Sequence, residues 1–460
     1  MRYIHIAYGI LLLFFAACAP AHKSTRPRPE WINNRPVNSM YYIGVGISSK
    51  LSSPNDYQGI AKRNALNDLI SEIQVTISTN SVLSQYQSNT EFKQQFESDS
   101  RVSALNSIEE FEVVDSWESS DTYWVYYRLS KEKYAEVRRR KMRAAVDRAE
   151  NFYAEARRLN VQQNYMQSLR MKIKALASIQ DYLSENIYST VDGKEVLLVN
   201  ELINSIQQQL YMVKLGTEMA SIKAKVGKPV NEPVNVFAVF NNDNQIPVTY
   251  LPVTMQAQSG RMKFGNQTET DAKGVASFSI SSIQSKDPVQ SVRIIPDLKR
   301  IISVDSLNGS LTNILTRLDV PSTLLRVQVE PLRIFFAGNE LNLGKPMSVN
   351  TFEASLKRQL AEFGCQFVRT AQESDYILKV NSDTKSLGAI WGNMQQAQLD
   401  AYFVLTETKN DVDVFKDALQ NVKGYQTTPE NAGIDAYKTA NDMLLKNIYP
   451  RLQDELMKAN

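Results

Sequence analysis

Apolar and polar side chains alternate along this chain in two rhythms, and the switches between them mark its elements. Residues 40–47 are rich in β-branched and aromatic side chains and predict a strand. Pro54-Asn55-Asp56 opens a helix whose apolar positions, Ala61, Ala65, Leu66, Leu69, Ile70 and Ile73, are spaced by three and four. The period then drops to two: Ile73, Val75 and Ile77 alternate with Gln74, Thr76 and Ser78, predicting a strand. A polar, helix-prone stretch follows with Phe92, Phe96 and Leu105 turned inward. Two strands over 111–117 and 122–129 flank a turn at Glu118-Ser119-Ser120-Asp121. The order β-α-β-α-β-β describes an α+β domain with a helix laid on an antiparallel sheet.

From 131 to about 225 the pattern reads as helical throughout. Tyr153, Ala156 and Leu159, then Met166, Leu169, Ile173, Leu176, Ile179 and Leu183, form stripes on two helices joined near Asn160. A third helix over 196–224 follows a turn at Asp192-Gly193. After Gly227-Lys228-Pro229 the sequence becomes β-like: a strand over 234–240, a turn at Asn241-Asn242-Asp243-Asn244, and alternation over 247–258. Asp271 and Gly274 at the two ends of a four-residue turn suit a tight hairpin. Beyond Pro321 the pattern predicts a strand over 325–336 and a helix over 349–363 that buries Phe352, Leu356, Leu360 and Phe363. Strands follow at 376–380, 398–406 and 412–422, with a turn at Asn410-Asp411. A last helix over 432–456 buries Ile434, Tyr437, Leu444, Ile448 and Leu452 and should kink at Pro450.

The fold class expected is therefore multidomain α+β. Its parts are a signal segment at 1–17, a lipidated tether at 18–29, an α+β domain at 30–134, an antiparallel helical spacer at 135–226, an all-β module at 227–320, and a C-terminal α+β domain at 321–460. Length agrees, since 460 residues make roughly three domains. With 43% hydrophobic and 22% charged residues, the chain can build a core, which excludes wholesale disorder.

Charge and scarce residues narrow the function. Lys plus Arg number 52 against 49 Asp plus Glu, and a net charge of +3 gives phosphate-backbone binding little support, so no nucleic-acid partner is expected. The two histidines are His5 and His22, in the signal and the tether, so no folded domain contains one. That excludes Ser-His-Asp and Cys-His nucleophilic machinery and imidazole-based zinc sites. Of the two cysteines, Cys18 and Cys365, the second lies in Phe363-Gly364-Cys365-Gln366-Phe367 and reads as a small buried hydrophobe. Gly44-Val45-Gly46 lacks the third glycine of a dinucleotide loop and the Gly-Lys-Ser/Thr of a P-loop; a strand with close-packed glycines accounts for it. Carboxylates remain, but the adjacent Glu109 and Glu110 would point to opposite faces of an extended chain. No catalytic, cofactor-binding or metal-binding residue is assigned, and the chain is expected not to be an enzyme.

The N-terminus supplies the one assigned site. Residues 4–17 are apolar, too short to span a bilayer and suited to a secretory signal, and they end in Phe15-Ala16-Ala17-Cys18. This resembles the bacterial lipobox, in which cleavage precedes a cysteine that carries the lipid, with Phe15 where Leu is usual. Lipidation is accordingly assigned to Cys18. Two or three acyl chains anchor a protein stably where one is marginal. Residues 19–36 hold four of the sixteen prolines together with Lys23, Arg26, Arg28 and Arg35, and read as a semi-stiff basic tether. Surface-exposed lipoproteins of the Bacteroidota commonly carry an acidic run there, so the basic one favours the periplasmic face of the outer membrane.

Several segments resemble known families. Pro29-Glu30-Trp31-Ile32, Tyr42-Ile43-Gly44-Val45-Gly46, the alanine-bearing helix and Ile73-Gln74-Val75-Thr76-Ile77 together resemble the Helicobacter outer-membrane lipoprotein antigen family, the Lpp-twenty family, whose domain is similar to one in the flagellar T-ring protein. That resemblance implies a lipid-anchored envelope protein with an interaction domain, and it carries over no active site. Thr270-Asp271, Gly274 and Ala276 are placed as in bacterial Ig-like domains, which act as spacers or adhesion platforms. Glu373-Ser374-Asp375-Tyr376-Ile377-Leu378 looks like domains of curli-secretion and flagellar-ring lipoproteins, a fold-level analogy. The basic run Arg138-Arg139-Arg140-Lys141-Met142-Arg143 could meet anionic lipid or an acidic partner. A solvated helix face is the better account, because Glu132, Glu136, Asp147 and Glu150 lie three or four residues from basic partners.

The expectation is a lipid-anchored, non-enzymatic outer-membrane lipoprotein serving as scaffold or adaptor in a cell-envelope assembly. Its partners would be outer-membrane lipid through Cys18, other envelope proteins and a second copy of itself. The alternative is a glycan- or polymer-binding lipoprotein that uses the Ig-like module and the 21 tyrosines.

Overall fold

The computed structural model describes residues 26–73, 81–86, 88–240, 245–303 and 305–458. The signal segment, Cys18, the strand expected at 73–78 beyond Ile73, and the turn expected at 241–244 lie outside these residues. The chain is a multidomain α+β protein with two compact units. One comprises Met1–Asn151, Ala175–Glu201 and Leu307–Asn313; the other comprises Phe152–Lys174, Leu202–Ser306 and Ile314–Asn460.

The first unit begins with a short helix α1 (Glu30–Asn33), strand β1 (Tyr41–Ser49), helix α2 (Tyr57–Ser71) and helix α3 (Thr90–Asn106). A hairpin of β2 (Glu112–Glu118) and β3 (Thr122–Ser130) completes an antiparallel sheet of order β1-β3-β2. Helix α2 lies on it through fully buried Ala61, Ala65 and Leu69. Gly44 and Gly46 are small for a packing reason, since a Cβ at either would overlap the carbonyl oxygen of Ala65 or Ala61. The helix also satisfies the free edge of β1. The Val45 amide donates to Asp68 Oδ2 at 2.9 Å and the Ile43 amide to Glu72 Oε2 at 3.2 Å, while Arg35 pairs with both carboxylates. On α3, Phe92 and Phe96 are buried as expected, but Leu105 is exposed and Ala104 takes the inner position.

Two long helices follow, α4 (Lys131–Val161) and α5 (Tyr165–Ile179), with the turn between them made by Gln163 at φ 63° and the Asn164 amide bonded to Leu159 O. The continuous helical reading of 131–225 is corrected at two places. A hairpin of β4 (Tyr188–Val191) and β5 (Lys194–Leu197) surrounds Asp192 and Gly193, both at positive φ as a two-residue I′ turn requires. Helix α6 (Leu198–Tyr211) then stops well short of residue 224, and β6 (Val213–Thr217) and β7 (Ser221–Lys225) replace its expected second half. The period there is two: Val213 and Leu215, then Ile222 and Ala224, are buried beside exposed or half-exposed neighbours.

Over 213–330 the described residues of the second unit form a five-stranded sheet, a three-stranded sheet and a two-stranded pair. Strands β8 (Val234–Phe240), β9 (Pro252–Ser259), β10 (Met262–Phe264), β11 (Thr268–Glu269), β12 (Val275–Phe278), β13 (Ile280–Ile283), β14 (Val289–Pro296) and, after helices α7 (Leu298–Ile302) and α8 (Gly309–Leu315), β15 (Thr323–Glu330) join β6 and β7. One sheet has the order β11-β9-β14-β15-β7, the other β12-β8-β6, and β10 pairs with β13. The turn at Asp271 forms with the expected chemistry, Asp271 Oδ1 accepting from the Lys273 and Val275 amides and Gly274 at φ 75°. It does not close a hairpin of paired strands, because β11 pairs with β9 and β12 with β8, so the turn carries the chain from one sheet to the other.

The strand expected at 325–336 is two strands. Pro331, which has no N–H to donate, separates β15 from β16 (Leu332–Asn342), and the two belong to different sheets. After β17 (Lys345–Pro346), helix α9 (Thr351–Phe363) ends on Gly364 at φ 106° and leads into β18 (Cys365–Phe367). Strand β19 (Tyr376–Trp391) runs parallel to β16, then turns into β20 (Met394–Glu407) and β21 (Val412–Gln426), giving the order β17-β16-β19-β20-β21 with β18 also on β16. Helices α10 (Pro429–Met443) and α11 (Tyr449–Met457) cover the sheet through Ala436, Tyr437, Ala440, Leu444, Ile448, Leu452 and Leu456. Ile434 is exposed, so the inner face begins at Ala432 and Ala436 instead. A π-helical turn over Leu444–Ile448 precedes Pro450, a widened turn where the missing N–H and the ring would otherwise break the ladder.

Candidate functional site

Within the second unit, the edge strand β7 opens onto a cleft of about 820 Å³. All five of its residues line this space, together with the loop that follows and the ends of β16, β19 and β20. Among the described residues, strand β7 pairs with β15 on one side only and ends its sheet, and all five of its residues line the cleft along its other edge. Parallel pairing leaves alternate amides and carbonyls of such a strand directed outward.

The floor is an ion-pair cluster around Asp375, at the start of β19. Lys225 Nζ donates to Asp375 Oδ1 at 2.7 Å, the Arg333 amide to Oδ2 at 2.9 Å, and Arg333 Nη2 to Oδ1 at 3.3 Å. Burial by itself would raise this carboxyl's pKa, but the hydrogen bonds from Lys225 and Arg333 and the Lys225 charge together hold it below the ordinary aspartate range. Because the folded value is depressed, the stabilisation is present above about pH 3.8 and is lost as the pH falls through the folded value. Asp375→Asn is expected to cost about 2 kcal/mol at neutral pH. In urea melts across pH 2.5–7 the difference between wild type and variant should narrow below about pH 4. A difference constant across that range would show that the carboxylate charge is not what is used.

Beside this cluster Lys228 sits 5.2 Å from the centre of the Tyr376 ring and donates to Lys458 O at 3.0 Å. Its pKa is lowered by burial, against the pull of Glu407 and Glu455. The Tyr376 hydroxyl is pushed up to about 12 by burial, with Glu407, Asp375 and Glu455 adding to it, so it is a protonated phenol at neutral pH. The cleft therefore offers backbone hydrogen-bonding groups, one half-buried ammonium and closed ion pairs. Two stretches singled out by sequence reach the cleft: Gly227-Lys228-Pro229 supplies Lys228 and Pro229, and the segment from Glu373 to Leu378 supplies Ser374, Asp375 and Tyr376. The lysines of β7 were hidden in what read as helix, where an alternation of Ile222 and Ala224 with Lys223 and Lys225 was the available signal.

Other singled-out residues are placed elsewhere. Cys365 is buried, and burial, with Asp375 nearby, pushes its thiol up to about 12, the environment of a packed side chain. The basic run is held from outside its own helix. Arg138 pairs with Glu185 at 2.9 Å and lies 5.1 Å from the Tyr182 ring centre, while Arg140 and Lys141 share Glu109 at 3.1 and 2.6 Å. Glu150 accepts from Ser189, outside the helix. Glu109 and Glu110 likewise bond to cations, Glu110 to Lys133 at 3.4 Å. Among the described residues no cluster of three or more His, Cys, Asp or Glu side chains could hold a metal ion, and no helix is long and apolar enough to cross a membrane.

No family model matches the chain, and no curated protein matches it. Several solved structures similar to part of it are described as lipoproteins of bacteria. Lipoprotein GNA1162 from Neisseria meningitidis is 12% identical over 26% of this chain and 99% of its own, with a TM-score of 0.19. A neuraminyllactose-binding hemagglutinin homologue from Helicobacter pylori is 8% identical over 28% of this chain and 94% of its own, with a TM-score of 0.19. A lipoprotein from Caulobacter crescentus is 17% identical over 27% and 87%, with a TM-score of 0.17.

Proposed function

We propose that this chain is a lipid-anchored, non-enzymatic lipoprotein of the outer membrane, facing the periplasm, that works as an adaptor in an envelope assembly. In this reading residues 30–134 are the Lpp-twenty-like interaction domain, the β-sheets after residue 213 an Ig-like module, and Cys18 the anchor. The observation that favours an adaptor is the open edge of β7 along the cleft. A strand edge takes an extended segment of another protein by continuing the sheet, with affinity from main-chain hydrogen bonds. A glycan site would present exposed aromatic faces, whereas the cleft's Tyr376 is buried.

Two measurements test this. Cys18→Ala should abolish acyl labelling and move the protein out of the membrane fraction; a variant that stays lipidated refutes the anchor. Native mass after gentle detergent extraction and crosslinking in cells should show a particle of defined composition, crosslinked at Lys223. A single chain with no stoichiometric partner would refute the adaptor and favour polymer binding.

A further inference from the structure

We propose that the tip of the β19–β20 hairpin is a lipid-contact site that seats in the interfacial layer of a phospholipid bilayer. Residues 386–399 are fourteen consecutive positions without a charged side chain. Within them Trp391 is 89% exposed, Ile390 51%, Met394 49% and Leu387 46%. Soluble surfaces seldom leave a tryptophan this bare, and an apolar cluster on a projecting tip marks a contact site.

Strand register shows how the tip is built. The pairs Ser386 with Ala397, Gly388 with Gln396, Ala389 with Gln395 and Trp391 with Met394 leave Leu387 and Ile390 opposite nothing, one in each of two bulges. Bulges re-aim side chains, and here both extra residues are apolar and exposed. The third strand stops at Gln426, opposite Gln395, so the last row is a two-stranded ribbon clear of the sheet. Behind it the face away from α10 carries Tyr425, whose hydroxyl accepts from Gln396 Nε2 at 3.4 Å. Next comes the row Lys385, Gln398, Lys423. Lys385 also pairs with Asp400 at 3.5 Å. Apolar tip, then tyrosine, then lysines is the order of a membrane interface, where aromatic rings sit at headgroup level and ammonium groups reach the phosphates.

Area separates lipid from a second copy of the chain. Four side chains of this size expose on the order of 500 Å², short of the roughly 800 Å² that each partner buries in a stable complex. A bilayer requires no complementary shape. One such contact is marginal alone and becomes effective beside an anchor, so the inference draws on the reading of Cys18 as lipidated.

The test uses the full-length chain in vesicles of phosphatidylethanolamine and phosphatidylglycerol, with and without a nitroxide-bearing lipid. Wild-type tryptophan emission should fall by the share of one tryptophan in four. Trp391→Phe should lose that quenchable share, and the double variant Leu387→Asn, Ile390→Asn, which keeps the reporter, should show it reduced at least about twofold. Equal quenching of wild type and Trp391→Phe in protein that floats with the vesicles overturns the tip contact and leaves the anchor standing. Quenching that persists in Cys18→Ala supports the tip while removing the anchor. Protein that does not float at all refutes both. Concentration-dependent self-association lost in Trp391→Phe, without lipid quenching, would assign the tip to a second copy.

Discussion

Gly46→Val should destabilise the first unit by about 3 kcal/mol or prevent its folding. A Cβ on Gly46 would overlap the Ala61 carbonyl oxygen and press on the Ala65 amide and methyl, which are helix backbone and a fully buried side chain. Neither can swing aside as a flexible side chain could. The helix would have to lift from the strand, and the lift would break the bonds from the Val45 and Ile43 amides to Asp68 and Glu72. Those bonds are what keep β1 from presenting a free edge, so the variant should also aggregate more readily. Urea denaturation of the full chain followed by tryptophan emission will measure this, because Trp117 and Trp124 sit on the hairpin that pairs with β1. An unchanged midpoint would mean that the close approach of α2 to β1 is wrong.

Phe352→Ala is expected to cost about 3–5 kcal/mol in the second unit. Its ring is fully buried, 5.5 Å from the Phe403 ring at 72° and 5.2 Å from that of Tyr437. Truncation leaves a void among β20, α9 and α10 that three packed elements can only partly close. The same residue lies in the first turn of α9: its amide and that of Glu353 donate to the buried Glu340 carboxylate at 3.0 and 2.8 Å. Burial raises the Glu340 pKa despite those backbone donors. Phe352→Leu should lose far less than alanine, since most of the volume stays. The effect reaches the cleft, whose Leu332 and Tyr376 belong to the same core cluster. A loss under about 1 kcal/mol for alanine, measured by thermal or urea melts, would contradict the packing.

Where local pattern and burial coincide, the elements are legible in sequence. The strand at 234–240 is found with the bounds its alternation predicts, and the stripe Ala61, Ala65, Leu69 is the buried face of α2. Inward positions that are polar hide the rest. Strand β19 is expected to stop at Val380, because Ser382 and Thr384 break the apolar alternation. Both are buried, Ser382 hydrogen-bonded to the Tyr437 hydroxyl at 2.7 Å and Thr384 to Asn342. The partners lie 55 and 42 residues away, so nothing near them in sequence reveals that they face inward. The helical reading of 196–224 fails for a related reason: a run of Val, Leu and Ile has no unique period once its stretches are only five residues long.

Alone, the sequence determines the class of the chain and what it lacks: an α+β composition in several parts and no histidine beyond position 22, both properties of residue identity and short-range order. The tertiary structure decides which strands meet. Pairing β7 with β15 across about a hundred residues makes a sheet edge, and bringing Lys225 and Arg333 to Asp375 makes the floor of the cleft beside it. The reason is that a strand's exposure depends on what lies on its other side. That neighbour is chosen by long-range burial, to which local pattern contributes only a preference.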